Sequence, residues 1–420
     1  MKYLFGISTV VVLISCQLPT PLRQDDYYNT QGLAITNFSI AGLGATGIVN
    51  SSAGTITVEV PWSDLSRLVP TITHSGASVA PASGVMQNFY SPVSYTVTSS
   101  NTSKHSYLVS MNQTASVHVI SYGIDSLTYG NGKFIGLKKS SVDGYSSQGY
   151  ISSDGVNWST TSLPSTSTYW ESITFGNGRF VAIANFWYNT GTGSVVSADG
   201  LTWSASDLPK GNIWQSVAFG NGVFLALDGN THSAISHDGV SWSVYNSAPT
   251  GLSRSVYGNG VFLALDTAGD CATSTDGIVW TYHGPTGSQG SIAFGNGTFV
   301  VASGGLHSLN TLTSKDGITW TRYTAAVTPF SVQVSALCFA NGLFLVLQNT
   351  NQTYVVLQSL DGVYWQEVPV PLNFVSGESG DWFSLGCAAY GNGVFVTCGS
   401  VVGTLAGQAS YSNHISLTSP

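Results

Sequence analysis

The sequence predicts an all-β protein: a small β-sandwich followed by a seven-bladed β-propeller of four-stranded antiparallel blades. Three observations carry that prediction. A Gly-Asn-Gly-x-Phe string recurs along the chain, and a Ser-x-Asp-Gly-x-x-Trp string recurs behind it. Helix formers are scarce, while Gly accounts for 48 of 420 residues and charged residues for 8%. Propensity therefore works against long helices. The length suits one large β domain plus a smaller module.

The chain opens MKYLFGISTVVVLISC, a single Lys before a short apolar run. The run is too short to span a bilayer and reads as a signal peptide, residues 1–15. Leu13-Ile14-Ser15-Cys16 resembles the lipobox of bacterial lipoproteins. That resemblance implies cleavage before Cys16, acylation of its thiol, and a lipid anchor in the bacterial cell envelope, at an outer membrane or cell surface. The competing reading is an ordinary secretory signal. Residues 16–34 are polar, contain Pro, and read as a tether.

Residues 35–113 alternate apolar and polar side chains in ITNFSI, TITVEVP and SPVSYTVTSS, with turn residues between. This pattern predicts a small antiparallel sandwich. It resembles the Ig-like modules that follow the tether in many bacterial surface lipoproteins, without the Cys…Trp…Cys core of antibody domains. The resemblance implies a spacer.

Residues 114–420 are repetitive. Gly-Asn-Gly-x-Phe begins at Gly130, Gly176, Gly220, Gly258, Gly295 and Gly391, with an altered copy at Ala340. An aromatic precedes every copy, from Tyr129 to Tyr390. Asn-Gly is the preferred centre of a type I′ hairpin turn, because both residues tolerate positive φ. That register sets Phe219 opposite Phe224, an aromatic cross-strand pair. The residues two before each turn are small or short, so this strand is assigned to the axis. Seven such units predict a propeller.

The second string carries Asp154, Asp199, Asp238, Asp276, Asp316 and Asp361. Its Asp suits acceptance of turn N–H groups, its Gly the special dihedral, and its Trp packing against the neighbouring layer. It resembles the Asp-box (BNR repeat) of sialidases and other bacterial propellers, one residue shorter between Asp and Gly. The resemblance implies a structural turn between the third and fourth strands of each blade. The seventh unit lacks it. There QASYSNHISLTSP reads as two weak strands about Ser412-Asn413. Ring closure by those strands or by Ser116–Ile120 stays open.

Alternation of connections around a propeller puts the repeated turns at one end and the variable connections at the other. The variable end should hold Trp170, Glu171, Trp187, Tyr188, Trp214, Arg254, Asp381 and Trp382. Asp228 and Asp266 end second strands there. Aromatics with scattered acids suit glycan or peptide binding; alternatively these Trp pack between blades.

The sialidase activity that the Asp-box resemblance raises needs three convergent Arg. The propeller offers only Arg179, Arg254 and Arg322, at positions not expected to converge. No catalytic residue, metal site or cofactor is assigned. His232 and His237 read as solvent-exposed. Cys387 and Cys398 fall opposite each other in the last hairpin, a candidate disulfide in an exported protein; Cys271 and Cys338 read as small core residues. The net charge of −8 argues against nucleic acid. The expected function is a monomeric, surface-anchored, non-catalytic binding or scaffold lipoprotein with a glycan or protein ligand. The alternatives are a carbohydrate-active enzyme and an envelope-complex assembly factor, as related propellers are for photosystem II.

Overall fold

A computed structural model describes residues 32–420, except 62–64, 115, 121–123, 139–147, 165–168, 186–192, 210–211, 306–307, 327–332, 341, 350–353, 369–381, 393, 404–410 and 419–420. The expected signal peptide, Cys16 and residues 16–31 of the tether lie outside the described residues. So do Trp187, Tyr188 and Asp381, and the side chain of Trp382. Leu33 and Ala34, expected in the tether, are instead part of the first unit, Leu33 buried and Ala34 N donating to Ser75 Oγ at 2.8 Å. Among the described residues helix is confined to two three-residue 3-10 turns, and none is long and apolar enough to cross a membrane. The chain divides into two compact units, Met1–Glu59 with Leu65–Asn112, and Val60–Asp64 with Gln113–Pro420.

The first unit is a seven-stranded sheet that folds over on itself. Strands Ile35–Ile40 and Val93–Thr98 are second and sixth in its order. In a flat sheet they would lie roughly 19 Å apart. Instead the Phe38 and Tyr95 rings sit 5.4 Å apart, with Phe89 closing the cluster. The bend lies in Ala45–Asn50, whose first two residues pair with Ile35–Ile40 and whose last four pair with Thr55–Pro61. Gly47 stands at that changeover, where a Cβ would fall 2.7 Å from Ile56 Cγ2.

The second unit is a β-propeller. Six four-stranded antiparallel sheets are each built from consecutive strands, beginning with Ser126–Gly130, Lys133–Leu137, Gln148–Ser152 and Ser159–Ser162. A further sheet is composite: Trp382–Gly391, Val394–Gly403 and Tyr411–Thr418 are completed by Ser116–Ile120 on the outside. Tyr411–Thr418 is a single strand, so the expected turn at Ser412-Asn413 does not form. Both segments left open by the sequence are used, one as third strand and one as fourth. Each first strand lies beside the first strand of the next sheet, and Trp382–Gly391 returns to Ser126–Gly130. First strands therefore line the axis.

The repeated hairpins hold this ring together. Asn131 and Gly132 have φ of +46° and +75°, and the same pair of values recurs closely at Asn177, Asn221, Asn259 and Asn296. The register places Phe219 opposite Phe224, with ring centroids 4.8 Å apart. The leading Gly has a separate cause. A Cβ on Gly130 would overlap the ring of Phe175 in the next sheet, and one on Gly391 would overlap Tyr129. The Asn side chain is a clasp: Asn177 Nδ2 donates to Gly222 O at 3.1 Å and His237 O at 3.0 Å, both in the next sheet. Asn131, Asn259, Asn296 and Asn392 make the equivalent pair of bonds.

The Ser-x-Asp-Gly turns share this rim. Asp316 Oδ1 accepts the N–H groups of Ile318 and Thr319, both at 2.8 Å, and Ser314 Oγ accepts that of Gly317 at 2.8 Å. Those backbone donors hold the Asp316 carboxyl well below its usual range, at about 2. The turn Gly takes positive φ, +76° at Gly317 and +73° at Gly239. There is also no room for a side chain: a Cβ on Gly239 would sit 2.5 Å from Val181 Cγ2 of the preceding sheet. The Trp packs the same way, Trp203 against Ile135 and Ile151, and Trp320 against Leu263.

Candidate ligand face

The chain enters the propeller at the rim of repeated turns. Gln358, next to the turn residue Ser359, donates through Nε2 to Gln113 Oε1 at 2.8 Å in a buried contact. Ser116 then pairs with Thr418, and Ile120 with His414. Ser116–Ile120 therefore runs from the turn rim toward the opposite end. At that end lie the connections between second and third strands and between sheets, and with them the candidate residues.

Trp170 and Trp214 do not present ligand surfaces. Both are fully buried. Trp170 fills the gap between the first two sheets with Leu137, Ile151 and Val195. Trp214 packs on Val181, Ile183 and Leu208, and its Nε1 donates to Pro209 O at 3.0 Å. An indole at the entrance of a first strand buries more apolar area between sheets than it could cover in a solvated face. Packing between sheets, the competing reading of these residues, is what occurs. Glu171 is half-buried at a bulge between Trp170 and Ser172.

Arg254 is also taken out of the ligand face. Its guanidinium donates to Gly290 O at 2.6 Å, Asp266 O at 2.8 Å and Gln289 O at 3.4 Å. Partial burial lowers its pKa, and the Asp266 carboxylate works against that shift. Arg322 reaches the same linker from the neighbouring sheet and donates to Gly287 O. The two side chains hold different backbone carbonyls of one linker rather than a shared point. They clamp the 286–290 linker.

Between them the described rim carries two matching loops. Asp228-Gly-Asn-Thr-His232 and Asp266-Thr-Ala-Gly-Asp270 both follow Phe-Leu-Ala-Leu. In each, the first Asp Oδ1 accepts the N–H of the fourth residue on, at 3.0 Å and 2.8 Å. Asp228 is buried and also sits 2.7 Å from His232 Nδ1, so His232 is half-exposed and paired rather than free. His237 is exposed, on the turn rim. In the second loop Asp270 accepts the hydroxyl of Tyr282, whose side chain is 55% exposed. That bond pushes the Tyr282 hydroxyl pKa up. Gly251 N donates to Gly229 O at 3.0 Å, and a Cβ on Gly251 would lie 3.2 Å from Asp266 Cβ. The two loops are therefore one connected surface. Tyr282, His232 and Asp270 were not singled out as ligand residues from the sequence, although the repeated Asp-x-x-x-His/Asp after Phe-Leu-Ala-Leu was visible.

Residues 35–111 match the protein family described as "SGBP, N-terminal". No curated protein matches the chain. Among solved structures the chain is similar to virginiamycin B lyase from Staphylococcus aureus, with TM-score 0.54, 10% identity and coverage of 72% of this chain and 99% of that one. It is similar also to YCF48 from Cyanidioschyzon merolae, with TM-score 0.50, 12% identity and coverage of 72% and 98%. A structure titled "YCF48 bound to D1 peptide" gives TM-score 0.51, 14% identity and coverage of 71% and 96%. At such identities the likeness is one of fold, the β-propeller.

Proposed function

We propose that this chain is a bacterial surface glycan-binding protein without catalytic activity, in which a seven-bladed propeller is held up by the first unit as a spacer. The observation that carries the reading is the match of residues 35–111 to the surface glycan-binding family. Three features support it. The LISC sequence suits acylation at Cys16, and residues 16–34 suit a tether. The repeated turns suit Asp-boxes, which hold a ring rather than act on a substrate. The variable rim carries loops that differ from sheet to sheet, as a ligand surface would.

The test uses the purified protein against a panel of polysaccharides, with binding and released reducing sugar measured together. Binding without release is expected. Release that a single carboxylate change on the variable rim abolishes would replace this reading with that of a carbohydrate-active enzyme. Anchoring is tested separately: a clickable fatty acid fed to the native cells should label the protein, and Cys16→Ala should lose both the label and the membrane fraction.

A further inference from the structure

The charge around the Asp228 and Asp266 loops restricts what this part of the rim can hold. Its carboxylates, across two adjacent sheets, are Asp266 and Asp270 with Asp228 buried beside them and bonded to His232, while Glu171 and Lys138 belong to other sheets of the same rim. Its arginines, Arg254 and Arg322, are both committed to backbone carbonyls of the 286–290 linker. A sugar acid or sulfate is normally held by a free guanidinium fork, two parallel N–H donors meeting two oxygens. The Arg254 fork is not free to do this, Arg322 has its Nη2 on Gly287 O, and release of either would uncap carbonyls that hold the linker. An anionic group would also approach carboxylates within a chain of net charge −8.

The same surface suits an uncharged sugar. The Asp266 and Asp270 carboxylate oxygens accept from hydroxyls, and Tyr282, on the outer strand opposite Ala272 and bonded through its hydroxyl to Asp270, offers a half-exposed ring for the apolar face of a pyranose. Its hydroxyl is tied to Asp270, so the ring is oriented before any ligand arrives. We infer that the rim formed by the Asp228 and Asp266 loops with Tyr282 takes an uncharged glycan, and excludes glycans bearing uronate, sulfate or sialate groups. This inference rests on the glycan-binding reading above.

The experiment is affinity electrophoresis of the full chain. One set of gels contains neutral polysaccharides (starch, mannan, xyloglucan, a mixed-linkage glucan). The other contains anionic ones (polygalacturonate, alginate, chondroitin sulfate). Retardation by a neutral polymer and none by the anionic set is expected, at low and at moderate salt. Retardation by an anionic polymer that salt relieves would overturn the charge inference and leave the glycan-binding reading standing. No retardation by either set would overturn that reading and this inference with it. Tyr282→Ala places the site. The ring is half-exposed, so the variant should melt like the wild type while its neutral-polymer affinity falls about tenfold, the scale of one aromatic contact. Unchanged affinity in a folded Tyr282→Ala would remove the site from this rim.

Discussion

Replacing Asn177 by Gly and by Ala separates two jobs that one residue performs. Asn177 holds φ at +46° and donates twice across the gap to the next sheet, at 3.1 Å to Gly222 O and 3.0 Å to His237 O. Gly keeps the dihedral and loses both bonds. Each such bond is worth about 0.5–1.5 kcal/mol net. Both are solvent-exposed, which favours the lower half, so Asn177→Gly should cost about 1–2 kcal/mol. Ala loses the same bonds and must also hold a left-handed backbone, a further 1–2 kcal/mol or so. Asn177→Ala should therefore cost about 2–4 kcal/mol. Urea unfolding followed by tryptophan fluorescence reads this well, because ten of the eleven Trp lie beyond Gln113. The expected order of midpoints is wild type, then Gly, then Ala, with parallel slopes. A Gly variant that unfolds with the wild type would mean that the clasp contributes nothing. A Gly variant as weak as Ala would mean that the dihedral is not what Asn supplies.

Three further outcomes follow from the same geometry. Gly295→Ala puts a Cβ into the ring of Phe339, so the ring must leave its place; loss of that packing should cost about 3 kcal/mol or more, read as a fall in thermal midpoint, whereas Gly222→Ala, where no atom lies within 4 Å, should cost only its dihedral strain. The Asp316 carboxyl is depressed from 3.8 to about 2 in the folded state, so its stabilisation is present above the unfolded value and is lost as pH falls through about 2. Asp316→Asn should thus be less stable than wild type near neutrality, and the gap should close toward pH 2; a gap independent of pH would refute the role given to the charge. Finally, Cys387 stands directly opposite Cys398 in the backbone register. The roughly 5.5 Å Cα separation of a hydrogen-bonded pair accommodates a disulfide, so non-reducing peptide mapping of protein exported through an oxidising compartment should show this bridge, with Cys271 and Cys338 as free thiols.

What the sequence disclosed and what it withheld divide by the range of the forces involved. The Asn-Gly corner, the Phe219–Phe224 pairing and the Ser-x-Asp turn are local, set by residues within a few positions of each other, and short-range rules read them directly. The leading Gly of each hairpin is unreadable by such rules. Its cause is an aromatic ring of the next sheet, far along the chain, as Phe219 is for Gly176. Between the two readings of Trp170 and Trp214 the sequence has no means to choose, for the same reason: an indole beside a loop looks like a platform until the neighbouring sheet is laid against it. Arg254 and Arg322 hold the same linker only because it joins their two sheets. In the composite sheet, Ser116–Ile120 and Tyr411–Thr418 are separated by nearly the whole unit, and no local signal orders them.

The clasp also explains which positions of the repeat vary. Besides a turn Gly, each Asn side chain donates to a carbonyl of Ser153, Ala198, His237, Lys315 or Leu360, five residues with nothing in common as side chains. Each is the x of Ser-x-Asp, and the ring needs only its backbone oxygen. Donor and dihedral positions are fixed, as is the turn Gly whose carbonyl is the other acceptor; the x acceptor position is free. The consequence reaches the other rim. A ring joined by backbone carbonyls, glycine-backed rings and turn-bound carboxylates at one end asks nothing of the loops at the opposite end, beyond local anchors such as the Arg254 clamp. Those loops can differ in length and chemistry from sheet to sheet without opening the circle. Grafting the Asp266–Asp270 loop in place of Asp228–His232, both five residues after Phe-Leu-Ala-Leu, should accordingly leave the unfolding midpoint near that of the wild type while removing the His232–Asp228 pair. A large loss of stability from that exchange would show that the two rims are coupled after all.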